Sequence, residues 1–366
     1  MSAFSLLQET VASSSASPEY IFDVCISPDG EHHCISLSDG SIAVLSANNF
    51  ATMITSRIQA HSNRISSVQY SPVDPNIVVT ASADHSVCAW DLRVAPASAP
   101  SSSSSSSSYS SATNISKPVQ KIILPGEVSA ASVGVNGAIL AAAYENSLRF
   151  YDFRQPTNRP LGEYSDCHTD EITAVKFSPL QGSSLLLTGG EDGLIVVYDP
   201  SVSANDEAVV SIMNAECPTR RIGFFGRGYE GIYCLSSVET ASIWHYPSAR
   251  RISAFPDIRE SMRCDYLVDC LYEESSDSLC MLAGDHEGKG IVTKLQPGNT
   301  HSVCGNLNSG HNTTLRCCAH LQQQGTTSGN IRLVTGAEDG KLCRWEGINS
   351  DDYNSSNNIN KRKSSN

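Results

Sequence analysis

Three histidines in this chain each precede a threonine, an aspartate and an aromatic residue in the same order. His61 is followed by Thr80, Asp84 and Trp90, His168 by Thr188, Asp192 and Tyr198, and His311 by Thr335, Asp339 and Trp345. In every set the threonine lies four residues before the aspartate and the aromatic six after it. An imidazole, a carboxylate and a hydroxyl are the ingredients of a general base with its nucleophile, so hydrolysis is the first chemistry to weigh. Repetition argues against it. An enzyme needs one such set, whereas a set that returns at the same place in a repeating unit belongs to the frame.

The elements that carry these residues are short strands. Residues 185–200, LLLTGGEDGLIVVYDP, place two apolar runs around a polar turn, and residues 332–347, RLVTGAEDGKLCRWEG, and 78–93, VVTASADHSVCAWDLR, repeat the pattern. Such runs of 4–7 residues between Gly, Asp, Asn and Pro read as β-hairpins, and glycine after the aspartate suits a turn that needs positive φ. The full unit opens on the histidine and continues I-x-x-V-x-Y/F-S-P, as in residues 61–91, 168–199 and, less closely, 311–345. Weaker copies occupy 20–46, 127–154, 219–246 and 266–295, which puts unit starts near residues 20, 61, 127, 168, 217, 265 and 311. The chain reads as all-β and internally repeated.

Composition narrows the function. With 366 residues, 40% of them hydrophobic, the chain can bury a sizeable core, and its formal charge of −13 disfavours broad contact with nucleic acid or an anionic membrane. Thirteen cysteines are scattered without a CxxC pair, which points to a reducing compartment, cytoplasm or nucleus, rather than to zinc or disulfides. The N-terminus shows neither the basic region nor the apolar run of a signal peptide, and no segment is long and apolar enough for a membrane span. A Ser-rich insert at 95–117, with eight serines from Ser101 to Ser108, and a polar tail at 349–366 ending in Lys361-Arg362-Lys363 read as disordered. The basic triplet is also a candidate nuclear address.

These units resemble WD repeats, the four-stranded antiparallel blades of β-propellers. The resemblance covers almost the whole length and implies a single seven-bladed propeller over 1–348. It also implies a role for the recurring sets: the turn aspartate bonds the histidine, and the threonine links that histidine to the aromatic ring. After Trp345 no apolar strand remains for the last blade. Residues 3–11, AFSLLQETV, are the spare candidate, so the N-terminal strand is expected to close the ring and remove an exposed edge.

In propellers of this kind, the residues three and five beyond the blade histidine open onto the central channel. That rule gives Arg64 and Ser66, Glu171 and Thr173, and Thr314 and Arg316. Aligning the weaker blades adds Tyr20 and Phe22, Glu127 and Ser129, Pro218 and Arg220, and Tyr266 and Val268. Arginines and aromatics around one mouth suit a partner-binding rim for an acidic or phosphorylated peptide. The alternative is that Arg64 and Arg220 pair with rim acids such as Glu127 or Glu171. A second resemblance lies in residues 78–93 and 139–154, which end in Trp/Tyr-Asp-x-Arg. It is similar to the box by which some propellers dock on the damage-binding adaptor of cullin-RING ubiquitin ligases, with Asp91, Arg93, Asp152 and Arg154 at the matching positions. A local Asp–Arg pair is the plainer account.

The stretches GAEDGKL from Gly336 and GDHEGKG from Gly284 mimic phosphate loops, but lack the full spacing and the hydroxyl for Mg²⁺. HExxH, GxSxG and paired CxxC motifs are absent from the sequence. The expectation is a scaffold that binds proteins or peptides on the propeller face, without catalytic residues, metal or cofactor. A ubiquitin-ligase substrate receptor is the alternative.

Overall fold

The computed structural model describes residues 4–12, 19–50, 57–93, 117–155, 158–202, 205–321 and 331–347. They form seven four-stranded antiparallel sheets in the order of a seven-bladed propeller. The blades span residues 21–59, 65–123, 128–164, 172–214, 219–255, 266–307 and 315–347, numbered here 1 to 7. The expected Ser-rich insert falls between the third and fourth strands of blade 2, and it and the polar tail lie outside the described residues apart from Lys117. Among the described residues, no helix is long and apolar enough to cross a membrane.

Both faces of a blade are apolar, so neighbouring blades bury each other. Ile42, Val44 and Ile58 of blade 1 pack with Ile65, Val78 and Trp90 of blade 2. Ile21, Ile35 and Leu37 on the other face of blade 1 meet Cys317, Val334 and Leu342 of blade 7. No blade is finished until the ring is.

Closure uses the N-terminal strand, Phe4–Val11, which forms the outer strand of blade 7. It pairs antiparallel with Lys341–Gly347 from Phe4↔Gly347 to Val11↔Lys341, with a bulge at Leu7. Phe4 is buried in the blade 6–blade 7 core beside Trp345. The first and last described strands are thereby joined, and the edge left by Trp345 is covered.

All seven innermost strands carry a register shift at the same point. It falls between Ile21 and Asp23, Ile65 and Ser67, Val128 and Ala130, and Ile172 and Ala174. It returns between Thr219 and Arg221, Leu267 and Asp269, and Leu315 and Cys317. The extra residues are Phe22, Ser66, Ser129, Thr173, Arg220, Val268 and Arg316. A bulge breaks the alternation of a strand and re-aims one side chain. Here it aims seven of them at the axis.

Removing residues 1–12 should strip the outer strand from blade 7 and expose Phe4's site in the core. We expect a loss of several kcal/mol, seen as a fall in Tm of roughly 5–10 °C in a thermal melt. An unchanged Tm would mean that the ring does not depend on this closure.

Candidate functional site

The recurring His–Thr–Asp sets are buried and internally satisfied. In blade 2 the His61 Nδ1–H faces Asp84 at 2.9 Å, while the Thr80 hydroxyl reaches His61 Nε2 at 2.7 Å and accepts from the Trp90 indole N–H at 3.0 Å. Blade 7 repeats this with His311–Asp339 at 3.3 Å, His311–Thr335 at 2.7 Å and Trp345–Thr335 at 2.8 Å. In blade 4, His168 lies 3.1 Å from Asp192 and 2.8 Å from Thr188. There Tyr198 replaces the indole, and its hydroxyl contacts Cys167 and Thr188. Each aspartate also accepts the backbone N–H that follows the histidine, from Ser62, Thr169 or Asn312. The threonine hydroxyls are fully buried and already engaged. They frame the turn.

Burial holds His61 and His168 below the ordinary imidazole value, with Asp84 and Asp192 respectively opposing the shift. Burial raises the Asp84 carboxyl, but the Ser86 hydroxyl and His61 outweigh it and leave it below its usual range. His33, packed edge-on to Phe50 at 5.3 Å, is driven to about 4 by burial, with Arg344 adding to the shift.

The bulges converge on a cavity of about 630 Å³ at one mouth of the channel, lined by residues of all seven blades. Every residue five beyond the histidine position lines it: Phe22, Ser66, Ser129, Thr173, Arg220, Val268 and Arg316. Of the residues at position three, Arg64, Tyr266 and Thr314 line it, whereas Tyr20, Glu127, Glu171 and Pro218 do not. Position three precedes the bulge, so its side chain is not turned inward by it. Tyr20 stands edge-on to Phe22 at 6.4 Å, and Glu127 and Glu171 border a separate acidic cleft with Glu145 and Asp170.

Four bulge residues also fasten neighbouring blades. The hydroxyls of Ser66, Ser129 and Thr173 donate to the carbonyls of Val128, Ile172 and Thr219 at 2.6, 2.5 and 2.8 Å. Arg220 takes the next place in this chain and donates to the carbonyl of Leu267. Its Nη2 also lies 3.5 Å from Glu239 Oε2. Arg316 pairs with Glu338 through Nε at 2.7 Å. Arg64 is exposed and has no ion-pair partner among the described residues.

The arginines therefore differ from the even ring that the spacing rule implies. Glu239 and Glu338, not Glu127 or Glu171, neutralise two of them, and Arg64 is left free. Spacing also overlooked Arg221, which follows the bulge, lines the cavity beside Asp23 and lies 3.8 Å from Asp269. Burial lowers the proton affinity of Arg220; Glu239 and Asp269 oppose this, while Arg221 and Arg316 reinforce it.

Asp91 and Asp152 end the third strands of blades 2 and 3, and Arg93 and Arg154 follow them, at the far end from the turns that join the second and third strands. Arg93 forks onto Asp91 at 2.9 and 3.0 Å and also meets Asp74 at 3.1 Å. Arg154 forks onto Asp152 at the same two distances. Both arginine side chains remain more than half exposed, at 55% and 69%. The Gly336 and Gly284 stretches are hairpin turns between strands of blades 7 and 6.

A family model, "WD domain, G-beta repeat", matches residues 53–91 and 158–199, the segments that hold the first two histidine sets. The chain thus carries WD repeats in these two segments, and its seven blades follow the same four-stranded plan. Its stretches GRGYEGIYCLSS and HTDEITAVKFSP are similar to WD repeat-containing protein 89. The WD repeat-containing protein 89 homolog of Dictyostelium discoideum is 25% identical over 338 residues, 89% of this chain and 82% of that protein. WD repeat-containing protein GTS1 of Arabidopsis thaliana is 25% identical over 349 residues, covering 90% and 81%. The GATOR2 complex protein Wdr59 of Drosophila melanogaster is 21% identical over 197 residues, 53% of this chain and 18% of that protein. WD-repeat propellers are generally non-catalytic scaffolds for protein interaction.

Two measurements check the framework reading. Thr80→Val and Thr335→Val keep the shape but leave an indole N–H and an imidazole nitrogen unpaired, so each should cost about 1–3 kcal/mol in denaturant unfolding. The second is acid sensitivity. A histidine whose folded pKa lies below its unfolded value, about 6.5, contributes stability that is full above that pH. That stability is lost as pH falls towards the folded value, about 4 for His33. Stability should therefore drop between pH 6.5 and 4, and His33→Phe should remove roughly 3 kcal/mol of that drop. An unaltered pH profile in His33→Phe would show that this histidine is not held neutral.

Proposed function

We propose that this chain is a non-catalytic scaffold that binds partner proteins through the seven-bladed channel mouth, recognising an acidic or phosphorylated peptide. The observation that carries this reading is the cavity of about 630 Å³ with Arg64 exposed and unpaired at its edge. Its volume suits a few inserted side chains rather than a helix. Phe22 and Tyr266 supply apolar surface beside the arginines, the residue types enriched at binding hot spots. A free guanidinium can fork onto a carboxylate or phosphate. We further propose that the chain acts in the cytoplasm or nucleus, a reading supported by thirteen scattered cysteines without a CxxC pair.

Ubiquitin-ligase receptor is the second reading. It is favoured by two exposed Asp–Arg forks of the same geometry in adjacent blades, on the face opposite the mouth. Each arginine keeps donors free for a partner.

The two readings separate by affinity purification with mass identification of partners. Truncating Arg64, Arg220 and Arg316 to Ala together should abolish partner recovery with the ring still folded. Arg93→Ala with Arg154→Ala should leave it intact. Partners that survive the first set and vanish with the second, the damage-binding adaptor among them, would move the function to the other face.

A further inference from the structure

Not every blade keeps the aspartate–glycine turn of the repeat. After the turn aspartate, blades 1, 4 and 7 carry Gly40, Gly193 and Gly340, with φ of 80°, 75° and 70°. In blade 5 this place falls to Glu239, at φ of 60°, and blades 2 and 3 likewise hold non-glycine residues there, His85 at 69° and Glu145 at 50°. A left-handed conformation costs an L-residue about 1 kcal/mol, and such strain persists where something else is gained.

What Glu239 gains is a place in the mouth. It lines the cavity, and its Oε2 accepts the Leu267 backbone N–H at 2.6 Å. The same oxygen approaches Arg220 Nη2 only to 3.5 Å. The backbone bond is tight and the ion pair is loose. Arg220 Nε is buried and has no hydrogen-bond partner, so this guanidinium is incompletely satisfied. Among the described residues Glu239 is the one carboxylate within 4.0 Å of Arg220, because Arg316 is held by Glu338 and Arg221 faces Asp269.

We infer that Glu239 is a built-in occupant of the Arg220 site, and that an incoming carboxylate or phosphate binds by displacing it. This rests on the reading of the mouth as an anion-recognising surface and adds how that surface is held shut. The Leu267 N–H keeps the turn in place, so displacement needs only a small swing of the carboxylate. The ligand oxygens then take the Arg220 donors, while Arg64 reaches the same anion or its neighbour from blade 2.

The test compares wild type, Glu239→Gln and Glu239→Gly as full chains. Gln keeps an oxygen for the Leu267 N–H, and Gly suits the backbone at φ of 60°, so at least one variant should fold as wild type does. The probes are inorganic phosphate, followed by its stabilisation of the melt, and a fluorescein-labelled glutamate-rich hexapeptide, followed by anisotropy. Both variants should bind phosphate about tenfold more tightly than wild type, and Arg220→Gln added to either should erase the gain. Equal phosphate affinity in a folded variant, or a gain that survives Arg220→Gln, overturns the inference. If phosphate shows the gain but the peptide binds no form, the latch stands and peptide recognition at the mouth falls. If the peptide binds wild type through Arg64 and neither Glu239 variant alters either probe, the latch falls and the mouth stands.

Discussion

A blade with two apolar faces cannot be buried by one neighbour. Every sheet here needs a sheet on each side, and only a closed ring supplies that for all seven. The pairing of Phe4–Val11 with Lys341–Gly347 therefore bears on residues far from either terminus. Open it, and blade 7 loses its outer strand, after which blades 6 and 1 each lose support from a weakened neighbour. The link is made by backbone hydrogen bonds and one buried aromatic, Phe4, at the cluster that also holds Trp345. Stability and the shape of the mouth consequently depend on the same closure.

Within each strong blade the polar sets do a second job. They tie the loop before the inner strand to the turn between the second and third strands, through buried bonds that water cannot replace. This fixes the height at which each inner strand begins, and with it the position of the bulge three to five residues later. Blades 2, 4 and 7 have this brace. Blade 5 does not, and Glu239 replaces it with a bond to blade 6 and a contact to Arg220. A brace within a blade has become a brace between blades.

The architecture was legible because it is spelled repeatedly: strand rhythm, turn glycines and a leftover N-terminal strand suffice to count seven blades and close them. Position five was legible too, since the family rule reaches the bulge in every blade, including those with no histidine. Position three was legible only in part. Its side chain leaves the strand before the bulge, and loop geometry, which a repeat alignment does not carry, decides whether Arg64 faces the channel and Glu127 does not. The acids that neutralise Arg220 and Arg316 were hidden for another reason. Glu239 and Glu338 lie about twenty residues away, in turns on the same face, and a one-dimensional search for rim acids looks along inner strands instead.

Symmetry explains why the mouth matters more than the frame. Seven equivalent inner strands would give seven equivalent bulge residues and a channel with no preferred ligand. Here the blades that keep Ser or Thr at the bulge, 2, 3 and 4, spend that side chain on the next blade's carbonyl. Blades 5, 6, 7 and 1 place Arg, Val, Arg and Phe there instead. One arc of the mouth is tied down by hydroxyls, and the other carries charge, apolar surface and the strained turn. Recognition needs such unevenness, because a ligand can be oriented only by groups that differ around the axis. The departures from the repeat, which make blades 5 and 6 hard to read as WD units, are the places where this chain differs from its own frame.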